Sequence, residues 1–255
     1  MTELEGAAAL AGVTVLAGVT VLATCSGWQP STRAAHEFSP LQRHAVELTG
    51  VAGRAPRVLY VNTAGGDPRQ SEAVELDAAR LAGVRARHLR LFGRTDEPLD
   101  EIVAEADLVW VGGGSVVNLL ALWRAHGLDT VLVEAARRGT VLAGTSAGAL
   151  CWHVGGPTSS RGPALDLVDD ALGLIDGSLA VHYDSQAARR PLFLEAIADG
   201  RLPGGFGLDE GTAVLYTDGE PSAVLREPSG GRVVRVDRGE GAERAVEHEL
   251  AATTL

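Results

Sequence analysis

Lysine is absent from these 255 residues, and all 22 basic side chains are arginine. That excludes a Schiff-base lysine for pyridoxal phosphate, a P-loop lysine, a kinase-type lysine and a Ser–Lys dyad. A nucleophile in this chain must find its base among seven histidines or the carboxylates. Cysteine is nearly absent. Cys25 and Cys151 fit neither a metal-ligand spacing nor a disulfide framework, and read as two buried thiols in a reducing compartment. With no H-E-x-x-H or C-x-x-C either, neither a metal nor another cofactor is expected. Net charge is −11, and no basic cluster exceeds two adjacent arginines. A phosphate backbone needs a basic face, so nucleic acid is not an expected partner.

Charge of either sign is missing between Gly6 and Thr32. That run is long enough to span a bilayer. However, Glu3 and Glu5 stand where a signal peptide carries positive charge, and Gly and Thr interrupt the run. The hexapeptide Gly-Val-Thr-Val-Leu-Ala occurs twice, at 12–17 and 18–23. The second copy reads as a strand because it runs straight into the loop Thr24-Cys25-Ser26-Gly27. Residues 1–18 read as a flexible extension of one domain covering 1–255. The expected location is cytoplasmic, without a membrane anchor.

The remaining chain alternates strand and helix patterns. Helices are expected over His36–Leu48, Ser71–Leu81, Leu99–Ala106, Val116–His126, Leu128–Arg138 and Arg190–Asp199. Apolar runs around Val58–Val61, Ala86–Phe92, Leu108–Val111 and Thr140–Ala143 read as strands. Repeated βα units imply a mostly parallel sheet covered on both faces, here with antiparallel strands near the C-terminus. Ligands bind such sheets at the carboxyl ends of the strands. Glycine-containing loops stand at four of those ends: Ser26-Gly27, Gly65-Gly66, Gly112 to Gly114, and Gly144 to Gly148.

The last of these is Gly144-Thr145-Ser146-Ala147-Gly148, a G-x-S-x-G between a strand and a helix. In that context the serine is a candidate nucleophile, pushed out of a turn too tight for neighbouring side chains. Its base is sought at the same rim. His182 closes the apolar run Leu179–His182 and is the candidate. His153 follows Ser146 by two helical turns, too far for a hydrogen bond if the helix continues, and reads as a surface or packing residue. A carboxylate must then fix the imidazole tautomer. Asp184, Asp209 and Glu210 are candidates, with Glu210 favoured on reach. The oxyanion donors are sought in the Ala147 amide and that of Gly113 or Gly114. The glycine run 112–114 also has a reading as a phosphate cradle, weakened by the missing lysine.

Taken together, Val111-Gly112-Gly113-Gly114-Ser115, Gly144 to Ala149, His182-Tyr183-Asp184 and Leu208-Asp209-Glu210 resemble peptidase family S51. That family includes dipeptidase E and cyanophycinase. The resemblance implies a class I glutamine amidotransferase-like, flavodoxin-like three-layer fold. It also implies a serine peptidase with Ser146 as nucleophile and His182 as base. The substrates it implies are small peptides, among them dipeptides with an N-terminal aspartate, or aspartate-derived amides. Such substrates carry a carboxylate, and Arg189 and Arg190 are candidate clamps for it. A homodimer is allowed. Dipeptidase E-like members place an aspartate about a dozen residues beyond the nucleophile; here the stretch is Pro157-Thr158-Ser159-Ser160. The match to Glu210 in cyanophycinase-like members then supplies the carboxylate. A fold that has lost its activity and binds or regulates instead is the competing expectation.

Overall fold

The computed structural model describes residues 17–239 and 244–255. The first copy of the repeat and the extension before it therefore lie almost wholly outside the described residues. In chain order, β1 (Thr20–Cys25) carries most of the second copy. A two-residue ribbon follows, β2 (Gln29–Pro30) with β3 (His36–Glu37). Helix α1 (Pro40–Glu47) starts later than the apolar pattern implied. Ser39 and Gln42 form a reciprocal capping box there, and Pro40 opens the first turn, so the boundary is set by capping. His36 accordingly belongs to the ribbon.

Next come β4 (Arg57–Val61), α2 (Arg69–Leu81), β5 (Arg85–Leu89), α3 (Leu99–Ala104) and β6 (Leu108–Val111). Helices α4 (Val116–His126) and α5 (Leu128–Arg137) precede β7 (Val141–Thr145). Strands β5, β4, β6, β7 and β1 lie side by side and parallel. Successive residues of each strand enter opposite layers. Val58, Tyr60, Leu108, Trp110, Val141 and Ala143 pack with Leu41, Ala45 and Ala78 of α1 and α2. Leu59, Val61, Val109, Val111 and Leu142 pack with Leu119, Trp123, Leu132 and Ala135 of α4 and α5. That alternation makes the three-layer α/β/α arrangement expected of the pattern.

Beyond the Gly144–Gly148 turn the chain departs from expectation. Helix α6 (Ala147–Leu150) is a single turn, and β8 (His153–Thr158) begins directly after it. Gly155 and Gly156 read as a helix stop, but they sit inside this strand. A Cβ on Gly155 would lie 1.9 Å from the Val168 carbonyl oxygen, and one on Gly156 1.9 Å from that of Leu179. Glycine is there because neighbouring backbone approaches closely. The polar stretch that follows contains β9 (Asp166–Val168), antiparallel to β8.

Strand β10 (Ile175–Val181), helix α7 (Arg189–Ala198) and β11 (Gly205–Leu208) complete the next unit. Then follow β12 (Thr212–Thr217), β13 (Glu220–Arg226), β14 (Val233–Arg238), β15 (Ala245–Leu250) and β16 (Thr253–Thr254). Near the C-terminus, β15 pairs with β14 and β16 with β13. The strands divide into an eight-stranded sheet, β16-β13-β12-β1-β7-β6-β4-β5, and a six-stranded sheet, β15-β14-β11-β10-β8-β9. The second sheet shares the α4–α5 side core through Val168, Leu179, Val181 and Leu208, and α7 covers its other face through Phe193 and Ile197. Among the described residues, no single helix is long and apolar enough to cross a membrane.

Candidate active site

Ser146 stands between β7 and α6 with φ 56° and ψ −116°, a conformation that L-residues rarely adopt. Strain of this kind persists only where the surroundings enforce it. Strand β1 does so. Thr24 donates its hydroxyl to the Gly144 carbonyl, and its own carbonyl accepts the Ser146 amide at 3.2 Å. Thr145 donates to the Ser26 carbonyl. The flanking glycines are required by contact. A Cβ on Gly144 would fall 2.2 Å from the Gly148 oxygen, and one on Gly148 2.3 Å from the Val111 oxygen. Because α6 has only one turn, its macrodipole supplies little field at the serine, and what acts there is the local Ala147 amide.

His182 follows β10 and also has a positive φ, 55°. Its Nε2 lies 2.9 Å from Ser146 Oγ. On the other side, Nδ1 lies 2.5 Å from Glu210 Oε1. A carboxylate accepts there, so the proton resides on Nδ1 and Nε2 faces the serine as an acceptor. The carboxylate comes from the turn between β11 and β12, where Gly211 takes φ +75° and donates its amide to the Cys25 carbonyl. Thus the nucleophile candidate belongs to the eight-stranded sheet and the imidazole to the six-stranded one. The turn joining β11 to β12 links the two sheets, and β1 touches every member.

Three carboxylates were in play, and their partners separate them. Asp209 is buried and accepts the Arg232 amide and guanidinium on Oδ2. Asp184 accepts the Glu210 amide at 3.2 Å. Only Glu210 faces His182. Burial works to raise its carboxyl, but hydrogen bonds from His182, Ser185 and Cys25 and the His182 charge outweigh it, so the acid is held below the usual carboxylate range. Cys25 is the neighbour that sequence reading missed. Its Sγ accepts the His182 amide at 3.2 Å and donates to Glu210 Oε2 at 3.5 Å. Burial pushes this thiol well up, so it is no thiolate nucleophile. Its place at the end of a central strand was the available signal.

Gly113 runs beside the serine, and a Cβ there would lie 3.2 Å from Ser146 Cβ. Among the described residues, the Gly113 and Ala147 amides have no protein acceptor. Gly114 is turned toward the loop after β4, where its Cβ position would meet the Ala64 oxygen at 2.2 Å. The two arginines have other partners. Arg189 is buried and donates to the Pro157 carbonyl and the Gln186 side chain, tying the loop after His182 to β8. Arg190 is paired with Glu247 of β15. In the stretch that lacks the aspartate, the hydroxyls of Thr158 and Ser160 bond each other at 2.8 Å.

His153, expected on a helix, opens β8 and is fully buried, because α6 ends a turn earlier. Its Nδ1 donates to the Ala149 carbonyl and its Nε2 meets the Tyr216 hydroxyl, each at 3.0 Å. The concavity lined by Arg57, Arg85, Arg87, Ile102 and Glu105 opens at the edge strand β5 and includes none of Ser146, His182 or Glu210.

Chemically, the line from carboxylate to imidazole to hydroxyl can draw a proton from Ser146, with the Ala147 amide directly after the serine and Gly113 packed beside it as candidate donors to an oxyanion. Known proteins are similar to this chain in sequence or in fold. The Bacillus subtilis (strain 168) protein "Uncharacterized peptidase YgaJ" is 36% identical over 200 residues, covering 78% of this chain and 83% of that protein. A crystal structure of a peptidase from an acI-B1 Actinobacterium superposes with TM-score 0.68 at 18% identity, covering 92% of this chain and 94% of the other. A putative peptidase E protein from Listeria monocytogenes EGD-e does so with TM-score 0.54 at 15% identity, covering 91% and 99%. These two structural likenesses speak to the fold. Residues 31–224 match peptidase family S51, and with the identity to the Bacillus protein this establishes that the chain belongs to that family.

Proposed function

We propose that this chain is a serine peptidase acting on small peptides, with Ser146 as nucleophile, His182 as general base and Glu210 as the carboxylate that orients the imidazole. One observation carries the reading: Nε2 of His182 stands 2.9 Å from Ser146 Oγ while Nδ1 is committed to a carboxylate. In this scheme Ser146 Oγ attacks the scissile carbonyl as its proton passes to His182 Nε2. Glu210 stabilises the imidazolium, and its lowered pKa keeps it ionised. The Ala147 and Gly113 amides hold the oxyanion. The imidazolium then protonates the leaving amine, and a water deprotonated by His182 releases the acyl group.

Glu210 completes the line without a carboxylate near 158–160, so that departure does not idle the serine. We infer short substrates with N-terminal aspartate or aspartate-derived amides as the first class to try. Arg190 is held by Glu247, and Arg189 by Pro157 and Gln186, so a clamp on a substrate carboxylate requires one of these to exchange partners. A panel of aspartyl dipeptides, isoaspartyl peptides and neutral dipeptides tests the reading. Turnover by the wild type and none by Ser146→Ala supports it. Equal turnover by both proteins refutes the assignment of the serine.

A further inference from the structure

On the far side of the His182–Glu210 contact from Ser146 lies a sulfur. Cys25 Sγ is 3.6 Å from His182 Nδ1 and 3.5 Å from Glu210 Oε2. Three metal-ligating atoms from three separate segments thus lie within 4.8 Å of one another. A tetrahedral zinc ion with Zn–S of about 2.3 Å and Zn–N and Zn–O of about 2.0–2.2 Å sets its ligands apart by about 3.6 Å for S···N and S···O, and about 3.4 Å for N···O. Both sulfur separations already match. The Nδ1–Oε1 contact of 2.5 Å must open by about 0.9 Å, or the carboxylate must present Oε2 instead. Glu210 has room to do either, since its side chain is 49% exposed, and it gives a cation its way in.

We propose that Cys25, His182 and Glu210 form a site for a soft divalent cation of the Zn2+ class, and that filling it silences Ser146. Thiolate and imidazole together favour such ions over Mg2+ or Ca2+. Binding forms metal–sulfur, metal–nitrogen and metal–oxygen bonds. The thiol proton leaves to solvent. The Nδ1 proton is lost while Nε2 takes one up, so the imidazole stays neutral and one proton is released in total. Nε2 then carries a hydrogen toward Ser146 Oγ and cannot accept the serine proton. The cation works from behind the histidine and leaves the substrate cleft uncovered.

The inhibitory half rests on the serine-peptidase reading; the binding half does not. The test uses the full chain and two readouts. Titration with Co2+ is expected to produce the intense near-ultraviolet thiolate-to-cobalt charge-transfer band in the wild type, displaced by Zn2+ and absent from Cys25→Ser. Fluorophosphonate labelling of the wild type is expected to stop with Zn2+, to recover with a chelator and to ignore Mg2+. Each protein is scored against its own metal-free rate. Cys25→Ser should raise the half-inhibiting Zn2+ concentration by more than the roughly 10- to 100-fold that losing an outer-shell partner costs. No cobalt–thiolate band in the wild type, or equal Zn2+ sensitivity of both proteins, overturns the proposal. Should Cys25→Ser fail to fold, the wild-type band decides alone. A wild type that never labels sinks the peptidase reading and leaves the cobalt result to judge the site.

Discussion

Two histidines in this molecule sit in the same pattern of hydrogen bonds. His182 lies between the Glu210 carboxylate on Nδ1 and the Ser146 hydroxyl on Nε2. His153 lies between the Ala149 carbonyl on Nδ1 and the Tyr216 hydroxyl on Nε2. Both imidazoles therefore carry the proton on Nδ1 and face a hydroxyl with Nε2. The resemblance ends at the environment. His153 is fully buried, and desolvation pushes it down to about 4, beyond what its carbonyl partners restore. A neutral carbonyl cannot stabilise an imidazolium as a carboxylate does. Burial likewise pushes the Tyr216 hydroxyl up, so it stays protonated, a structural donor. Acceptor, imidazole and hydroxyl in a row therefore make no nucleophile by themselves. A charged acceptor, access from solvent and a strained turn that presents the hydroxyl distinguish the rim from the core.

Substitutions can break each half of that contrast. The largest effect belongs to the rim. Ser146→Ala should lower turnover by roughly 10⁶-fold while leaving the denaturation midpoint within about 0.5 kcal/mol of wild type. Steady-state kinetics and urea titration check the two halves. Glu210→Gln keeps the size of the side chain and loses its charge, and should lower kcat by about 10⁴-fold. In the core the pattern inverts. Tyr216→Phe leaves Nε2 of His153 buried without a partner and should cost about 1–3 kcal/mol of stability, with kcat unchanged.

The core histidine also makes stability depend on pH. Its folded-state pKa lies below the unfolded value of 6.5, so the unfolded chain binds more protons between the two. His153 therefore contributes stability that is present above about pH 6.5 and is lost as pH falls toward 4, a change on the order of 3 kcal/mol. Urea midpoints at pH 7 and 4.5 should differ less in His153→Phe than in the wild type. The smallest effect is expected at Arg190→Ala. That exposed pair with Glu247 should be worth no more than about 1 kcal/mol, and kcat should stay within about twofold unless Arg190 releases Glu247 to hold the substrate.

The rim was largely legible in the sequence; the core histidine was legible as a packing residue but not as part of a strand. Ser146 is flanked by glycines whose necessity is local, and His182 closes an apolar strand, so strand-end reasoning reaches both. Glu210 was found by the same rule and by the order of motifs, although only coordinates could turn Asp209 toward Arg232. The βα alternation likewise carried the parallel sheet and its two covered faces. The division into two sheets was hidden because pairing between distant strands leaves no local pattern. His153 was misplaced for a related reason. Gly155-Gly156-Pro157 has the composition of a helix stop, and the carbonyls of Val168 and Leu179 that demand glycine come from the next two strands, β9 and β10, outside the local pattern. Cys25 closes a central strand, which placed it at the rim, but nothing local pairs it with His182, 157 positions away.

Intact-protein mass spectrometry after fluorophosphonate treatment tests the central claim most directly. The account predicts one adduct, mapped to Ser146, with labelling lost in Ser146→Ala and nearly lost in His182→Ala. A wild type that stays unmodified, or a His182→Ala variant that labels as fast as wild type, contradicts it.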